Sequence, residues 1–511
     1  MSILSVANLS HTYADKQIFR EISFRLHRVE HAGLVGSNGV GKSTLLRILA
    51  GDLIPDTGTI EWLPNVKFGF LRQQIELKAG TTILQTLQGA FAHLYELERS
   101  MLQIAEKMSA AERDIEALLA RYGELQYKLE QSDFYQIDSK IEEVVSGLGL
   151  MELGLDREVE KLSGGQRTKL LLGKLLLEEP HVLLLDEPTN FLDDAHIAWL
   201  TDYLKRYEHA FLVVSHDETF LNEITTTIFH LEHQQLKRYS GNYETFLSHY
   251  DQSKQQAQQA YERQQKEIDR LASFIQKNRI RKAKQAKSRE KMLEKMTRIE
   301  RPTAGPRPRF SFHVHMEPVA QVMEAKQIQI GYTEPLFAPR DLQINRGDKI
   351  AVMGCNGIGK STLLKTLLGY LNPLRGTVRL GERVIAGYYA QEHYLSEQTP
   401  LEQLCSFRPD LTQRDIRKTL AMAGLTDKHI RQPLNTLSGG EQSKVRLCEL
   451  MLTRCNFLVL DEPTNHLDTR AKNALTEAFE KYTGTILLVS HEPSFYAGWV
   501  TDIWQVENWK R

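Results

Sequence analysis

Nine residues occur twice in this chain in almost the same letters: Gly36-Ser-Asn38-Gly39-Val-Gly41-Lys42-Ser43-Thr44 returns as Gly354-Cys-Asn356-Gly357-Ile-Gly359-Lys360-Ser361-Thr362. Each copy fits G-x-x-x-x-G-K-[ST]. In that loop the glycines let backbone N–H groups face phosphate oxygens, the lysine reaches the outer phosphates, and a hydroxyl holds magnesium. The apolar runs before the loops, 32–35 and 349–353, read as strands, and 45–49 and 363–368 read as helices after them. Phosphate is then expected at a helix N-terminus, where free amides and the helix dipole favour an anion. A chain built this way is α/β, with two phosphate-binding units in tandem.

Residues downstream of each loop narrow the chemistry. Leu162-Ser163-Gly164-Gly165-Gln166 precedes an apolar run ending in Asp186-Glu187, and Leu437-Ser438-Gly439-Gly440-Glu441 precedes one ending in Asp461-Glu462. A buried strand ending in Asp186 or Asp461 places a carboxylate near magnesium, and Glu187 or Glu462 can polarise an attacking water as general base. Further apolar runs end in Ser215-His216 and Ser490-His491. At these residues the chain resembles the ATP-binding cassette superfamily over nearly its whole length. The resemblance implies that His216 and His491 contact the terminal phosphate and orient the water. It makes Gln73 and Gln391 the glutamines that sense magnesium, with Gln74 as a rival for the first. It also stacks Tyr13 and Tyr332 on adenine, where the alternative for both is ordinary core packing.

The spacing of the copies carries separate information. The offset is 318 from Lys42 to Lys360 and from Gln73 to Gln391, but 275 from Ser163 to Ser438, Asp186 to Asp461 and His216 to His491. The first copy therefore holds 43 extra residues between Gln73 and Ser163. Apolar residues recur there at helical spacing, with Ser109 placed to cap a second helix, which predicts a helical hairpin at about 90–135. It either projects from the first domain or enlarges its core.

Between the copies, residues 251–310 contain 17 Lys and Arg against seven Asp and Glu, a local charge of +10 in a chain whose net charge is −1. A basic element on an otherwise acidic protein is the footprint of nucleic-acid contact, although a charge run can also be a solvated face. The pattern predicts two long helices with a basic crossover near 277–286. Its candidate RNA contacts are Lys277, Arg279, Arg281, Lys282, Lys284, Lys287 and Arg289. The expected domains are thus 1–250, a basic helical linker 251–316, and 317–511.

Two cassettes, an insertion in the first, and a basic linker after Ser240-Gly-Asn-Tyr243 together resemble the F subfamily, whose members bind ribosomes. That resemblance implies an ATPase using ATP and Mg²⁺, with the hairpin as its arm and the linker approaching the tRNA exit-site region, so that rRNA and tRNA are the expected partners. It also implies two composite sites within a monomer. In one, Lys42, Ser43, Gln73, Asp186, Glu187 and His216 face Ser438, Gly439 and Gly440. In the other, Lys360, Ser361, Gln391, Asp461, Glu462 and His491 face Ser163, Gly164 and Gly165. Asn190-Phe191-Leu-Asp193 departs from the Asn465-His466-Leu-Asp468 usual in the subfamily, through either a neutral change or unequal activity of the sites. An antibiotic-resistance factor of the same family, an energising subunit of a membrane transporter and a DNA-directed ATPase are the rival readings. No apolar run is long enough to span a membrane, no C-x-x-C pair occurs, and a cytoplasmic location is expected.

Overall fold

The computed structural model describes residues 1–509 apart from 14–15, 38, 72–79, 110–114, 133, 191, 279–282, 297–307, 356 and 391–395. The repeat in the sequence is a repeat in space. In the first half the parallel strands run in the order Phe68–Phe70, Val182–Asp186, Ala210–Val214, His31–Val35, Thr227–Glu232, and Gln235–Ser240 pairs antiparallel at the edge. In the second the order is Ala386–Tyr389, Phe457–Asp461, Thr485–Val489, Lys349–Met353, Asp502–Gln505. Each half adds an antiparallel sheet of three, centred on Ser2–Tyr13 and on Gln321–Gln329. Two α/β units in tandem, joined by long helices, agree with the fold expected from the sequence.

The continuous apolar runs result from burial on both faces of a parallel sheet. With a period of two, Val182, Leu184, Leu212 and Val214 enter the core shared with the antiparallel sheet, whereas Leu183, Leu185, Phe211 and Val213 enter the core under the helices. Because His31–Val35 lies between the Ala210–Val214 and Thr227–Glu232 strands, its loop emerges beside the ends of its neighbours. Asp186 pairs with Val214, and Asp461 with Val489, so loop, acids and histidine gather at one sheet edge in each half.

The inserted residues form helices Ala92–Ser109 and Ile115–Glu130, which pack on each other. Ser109 is the last described residue of the first of these helices, and the turn in which it is expected to cap the second, residues 110–114, lies outside the described residues. Phe91, Leu94 and Leu129 join the first core, while Leu102, Ile115, Leu119 and Tyr127 are exposed. The linker is helical over Tyr243–Asn278 and again over Ala283–Lys295. It starts before the charge shift at 251, because Asn242 caps it (Thr245 N–H to Asn242 Oδ1, 3.1 Å) and Phe246 is buried in the first core. The Arg289 guanidinium lies 3.6 Å over the Phe274 ring and ties the two helices together. No helix among the described residues is long and apolar enough to cross a membrane.

Core and arm should respond differently to truncation. Leu184→Ala, at a fully buried strand position, is expected to cost about 2–5 kcal/mol, and Leu119→Ala on the arm less than about 0.5 kcal/mol, in urea unfolding of the purified protein. Equal losses would mean that the arm is part of the core.

Candidate active site

Each phosphate loop is shaped by a glycine no other residue could replace cheaply. Gly41 and Gly359 sit at φ 105° and 110°, and a Cβ on them would fall 2.2 Å from Ile18 Cγ2 and 2.6 Å from Leu336 Cδ1. Helices Lys42–Leu49 and Lys360–Leu367 start at once, so Ser43, Thr44, Ser361 and Thr362 stand in a first turn whose amides lack internal partners. Lys42 Nζ donates to Gly36 O at 2.8 Å and Lys360 Nζ to Gly354 O at 2.5 Å, and His491 Nε2 lies 2.8 Å from Lys360 Nζ. Both lysines curl back over their loops. Burial lowers the pKa of each, against the pull of the neighbouring glutamate and aspartate.

Asp186 and Asp461 end their strands in nearly complete burial, hydrogen-bonded by the hydroxyls of Ser43 and Ser361. Burial raises both carboxyls, Asp461 to about 6. Asp186 Oδ1 is buried with no hydrogen-bond partner among the described residues. A hydroxyl beside a carboxylate with an unused oxygen is a donor set that suits a small divalent cation.

Glu187 and Glu462 occupy left-handed backbone, at φ 51° and 50°, and are pinned there by N–H bonds of 2.9 Å to Val214 O and Val489 O. Non-glycine residues held in this region cost energy and concentrate at functional sites. The strain aims both carboxylates at a histidine, with Glu187 Oε1 and His216 Nε2 at 3.3 Å, and Glu462 Oε1 and His491 Nε2 also at 3.3 Å. Their protonation differs. Burial, reinforced by Asp186, pushes Glu187 up to about 7, whereas burial and the charges of Lys42 and Lys472 drive His216 down to about 3. At Glu462 burial also acts upward. Bonds from His491 and from Asn465 Nδ2 (2.5 Å) outweigh it, leaving this carboxyl below its ordinary value.

The serine-glycine-glycine motifs are helix starts. Ser163 caps Gly164–Leu177 in a capping box with Gln166, and Ser438 caps Gly439–Leu452 in one with Glu441. The second of these helix starts lies against the first phosphate loop: a Cβ on Gly39 would be 3.0 Å from Glu441 Oε1. On the other side, Lys169, from the first motif's helix, acts electrostatically with Cys355 of the second loop. The charges of Asp468 on Lys42 and of Asp193 on Lys360 also cross between the halves. Between them lies a cleft of about 760 Å³ lined by Glu187, His216, Glu462 and His491.

Sequence reasoning missed the residues that act across this boundary. Lys472, paired with Glu492 at 2.7 Å, lines the cleft and acts on Glu187 and His216 of the other half. The repeat offset places Ile197 and Asp217 at the matching positions, so the two sites are not copies in this respect. Asp193 and Asp468 recur at the same offset, a usable signal, and cap the helices after them. Tyr13 and Tyr332 are 63% and 69% exposed, which removes core packing as their role. Asn38, Gln73, Asn356, Gln391, Phe191, Arg279, Arg281 and Lys282 lie outside the described residues, and Lys284 falls within helix Ala283–Lys295. Lys277, Lys287 and Arg289 are exposed.

Residues 19–190 and 337–465 match a family model described as ABC transporter, and 229–312 match a second model with the same description. The uncharacterized ABC transporter ATP-binding protein YfmM of Bacillus subtilis (strain 168) is 49% identical, covering 100% of this chain and 99% of that protein. ABC transporter F family member 5 of Arabidopsis thaliana is 33% identical over 99% of this chain and 75% of its own length. The probable ATP-binding protein YbiT of Escherichia coli O157:H7 is 32% identical, covering 99% and 96%. Among solved structures, the RNase-L Inhibitor superposes with TM-score 0.58 at 20% identity over 97% of this chain and 86% of its own, a likeness of fold.

The two glutamates should affect stability in opposite directions. Glu187 keeps a proton in the folded state up to about pH 7, where the unfolded chain releases it near 4.5, so stability is lost as pH rises through that window. Glu462 is shifted down, and its charge stabilises above the ordinary value. At pH 8, Glu187→Gln is expected to raise the unfolding free energy of the nucleotide-free protein by on the order of 2 kcal/mol, and Glu462→Gln to lower it. The gain from Glu187→Gln should shrink at pH 5. Urea unfolding at both pH values reads this, and effects of equal sign at pH 8 would contradict it.

Proposed function

Because the chain belongs to the F subfamily of the ATP-binding cassette family, an ATPase family, we propose that it binds the ribosome through its basic linker and regulates translation or relieves stalled ribosomes. The observation that carries this reading is the segregation of charge. The linker holds a local +10 on a chain of net −1, and its helices expose Arg263, Lys266, Arg270, Lys277, Lys287, Arg289 and Lys291. Phosphate backbones attract such an element without regard to sequence. The fold also occurs in a chain of the complex of archaeal ribosomal stalk protein aP1 with the archaeal ribosome recycling factor aABCE1, and in a chain of ribosome-bound archaeal Pelota and ABCE1. Proximity of the linker to the tRNA exit site belongs to this proposal.

ATP is taken to sit between the halves, one molecule on each phosphate loop, with Tyr13 and Tyr332 stacked on the adenines. Lys42 and Lys360 hold the outer phosphates, and the serine-capped helix of the opposite half supplies amides from the far side. Ser43 and Asp186, with Gln73, and Ser361 and Asp461, with Gln391, are the residues that would hold magnesium. Magnesium, when bound, offsets phosphate charge. Glu187 and Glu462 accept the proton of the attacking water, and His216 and His491 fix the orientation of these carboxylates. Since both halves share the terminal phosphate, ATP favours the closed arrangement and hydrolysis removes that preference. A linker that moves with the halves would then couple turnover to engagement and release.

The Glu187→Gln/Glu462→Gln protein is expected to sediment with ribosomes in ATP. Neutralising the lysines and arginines from Lys277 to Arg289 should remove most of that binding and flatten its salt dependence. Binding that survives neutralisation would contradict the linker reading. Membrane association with a dispensable linker would favour a transporter subunit.

A further inference from the structure

Where the linker helix leaves the first domain, two of its tyrosines are hydrogen-bonded to acids of that domain, and the second domain reaches both pairs. Tyr243 and Tyr250 are seven residues apart and so share one face, two turns from each other. The Tyr243 hydroxyl donates to Glu218 Oε1 at 3.3 Å, and the Tyr250 hydroxyl to Glu232 Oε1 at 2.8 Å, both acids of the first domain. The second domain engages one member of each pair, the acid Glu218 and the hydroxyl of Tyr250. The Thr469 hydroxyl donates to Glu218 Oε1 at 2.7 Å, and the Arg470 guanidinium lies close enough to the Tyr250 hydroxyl for its charge to act on it.

Thr469 and Arg470 are the first two residues of helix Thr469–Lys481, capped by Asp468, whose Oδ1 accepts the Ala471 N–H at 2.8 Å. Asp468 also pairs with Lys444 at 3.4 Å, and its charge acts on Lys42 and His216 of the first site. Glu218 itself is two residues beyond His216. A single helix start therefore meets the first phosphate site at one edge and the root of the linker at the other. The repeat offset puts Asp194, Ala195 and Pro493 where Thr469, Arg470 and Glu218 stand, so the second site has no matching set of groups.

We propose that Thr469 and Arg470 form a two-point latch that fixes the root of the linker helix when the first ATP site closes, making the first site the one whose state the linker reads. The latch rests on the nucleotide-driven closure proposed above. Both are positioning residues, acting through Tyr243 and Tyr250. Opening of the first site breaks both contacts and frees the helix at its base, whereas the second site can turn over without touching it.

Hydrogen exchange read by mass spectrometry tests the latch on the full chain, in the Glu187→Gln/Glu462→Gln background with and without Mg-ATP. Amides of residues 243–250 report the latch, and those of helix Gly439–Leu452 report closure. With one hydrogen bond and one charged contact at stake, ATP is expected to slow exchange at the root about tenfold, and less than about twofold once Thr469→Val and Arg470→Met are added, with closure protection retained. Thr469→Ser with Arg470→Lys, which keeps both donors, should restore most of the effect. Root protection that is unchanged in the Val/Met protein would overturn the latch. Absence of ATP-dependent protection at both peptides would overturn the closure itself, and the latch with it.

Discussion

A phosphate loop at the end of a parallel strand can hold its anion from one side only. Its glycines, amides and lysine line the floor, and the opposite face of the phosphate is left to water unless another element covers it. Here the covering element is a second helix N-terminus, begun by Ser163 or Ser438, and the contact between Gly39 and Glu441 places one such helix over the loop of the other half. Two copies of one domain in a single polypeptide satisfy this need at high local concentration, without partner association. The interior position of strands His31–Val35 and Lys349–Met353, the gathering of acids and histidine at one sheet edge and the acidic cleft between the halves fit the shared anion proposed above.

Within this symmetric plan the two sites have diverged. Glu187 is held near neutrality by burial, while Glu462 is kept ionised by His491 and Asn465. Lys472 faces the first site, where Ile197 is its counterpart at the second. The same helix that carries Lys472 presents Thr469 and Arg470 to the linker root. Part of the asymmetry has its source in the N-terminal turns of helix Thr469–Lys481, whose effects fall on the first site and on the element that carries the basic surface.

Much of this was legible from letters alone, for physical reasons. Parallel strands buried on both faces must be continuously apolar, so Val182–Leu185 and Phe457–Leu460 announced themselves, and the acids had to come at their ends. Arithmetic on the repeat located the insertion without any structural knowledge. What escaped was of two kinds. Helix boundaries depend on caps: the linker helix starts at Tyr243 because of Asn242, earlier than the change in charge. Contacts between the halves leave no periodic trace, so Lys472, Thr469, Arg470 and Glu218 read as ordinary surface residues until the fold brings them together.

The central claim is that each ATP site is completed by the other half, and it is tested most directly by crossing substitutions between halves. With the second site silenced by Glu462→Gln, ATP turnover at the first site should be abolished by Ser438→Arg and left largely intact by Ser163→Arg. With Glu187→Gln silencing the first site, the pattern should reverse. Loss of turnover caused by the serine of the same half, with the opposite serine dispensable, would contradict the crosswise architecture.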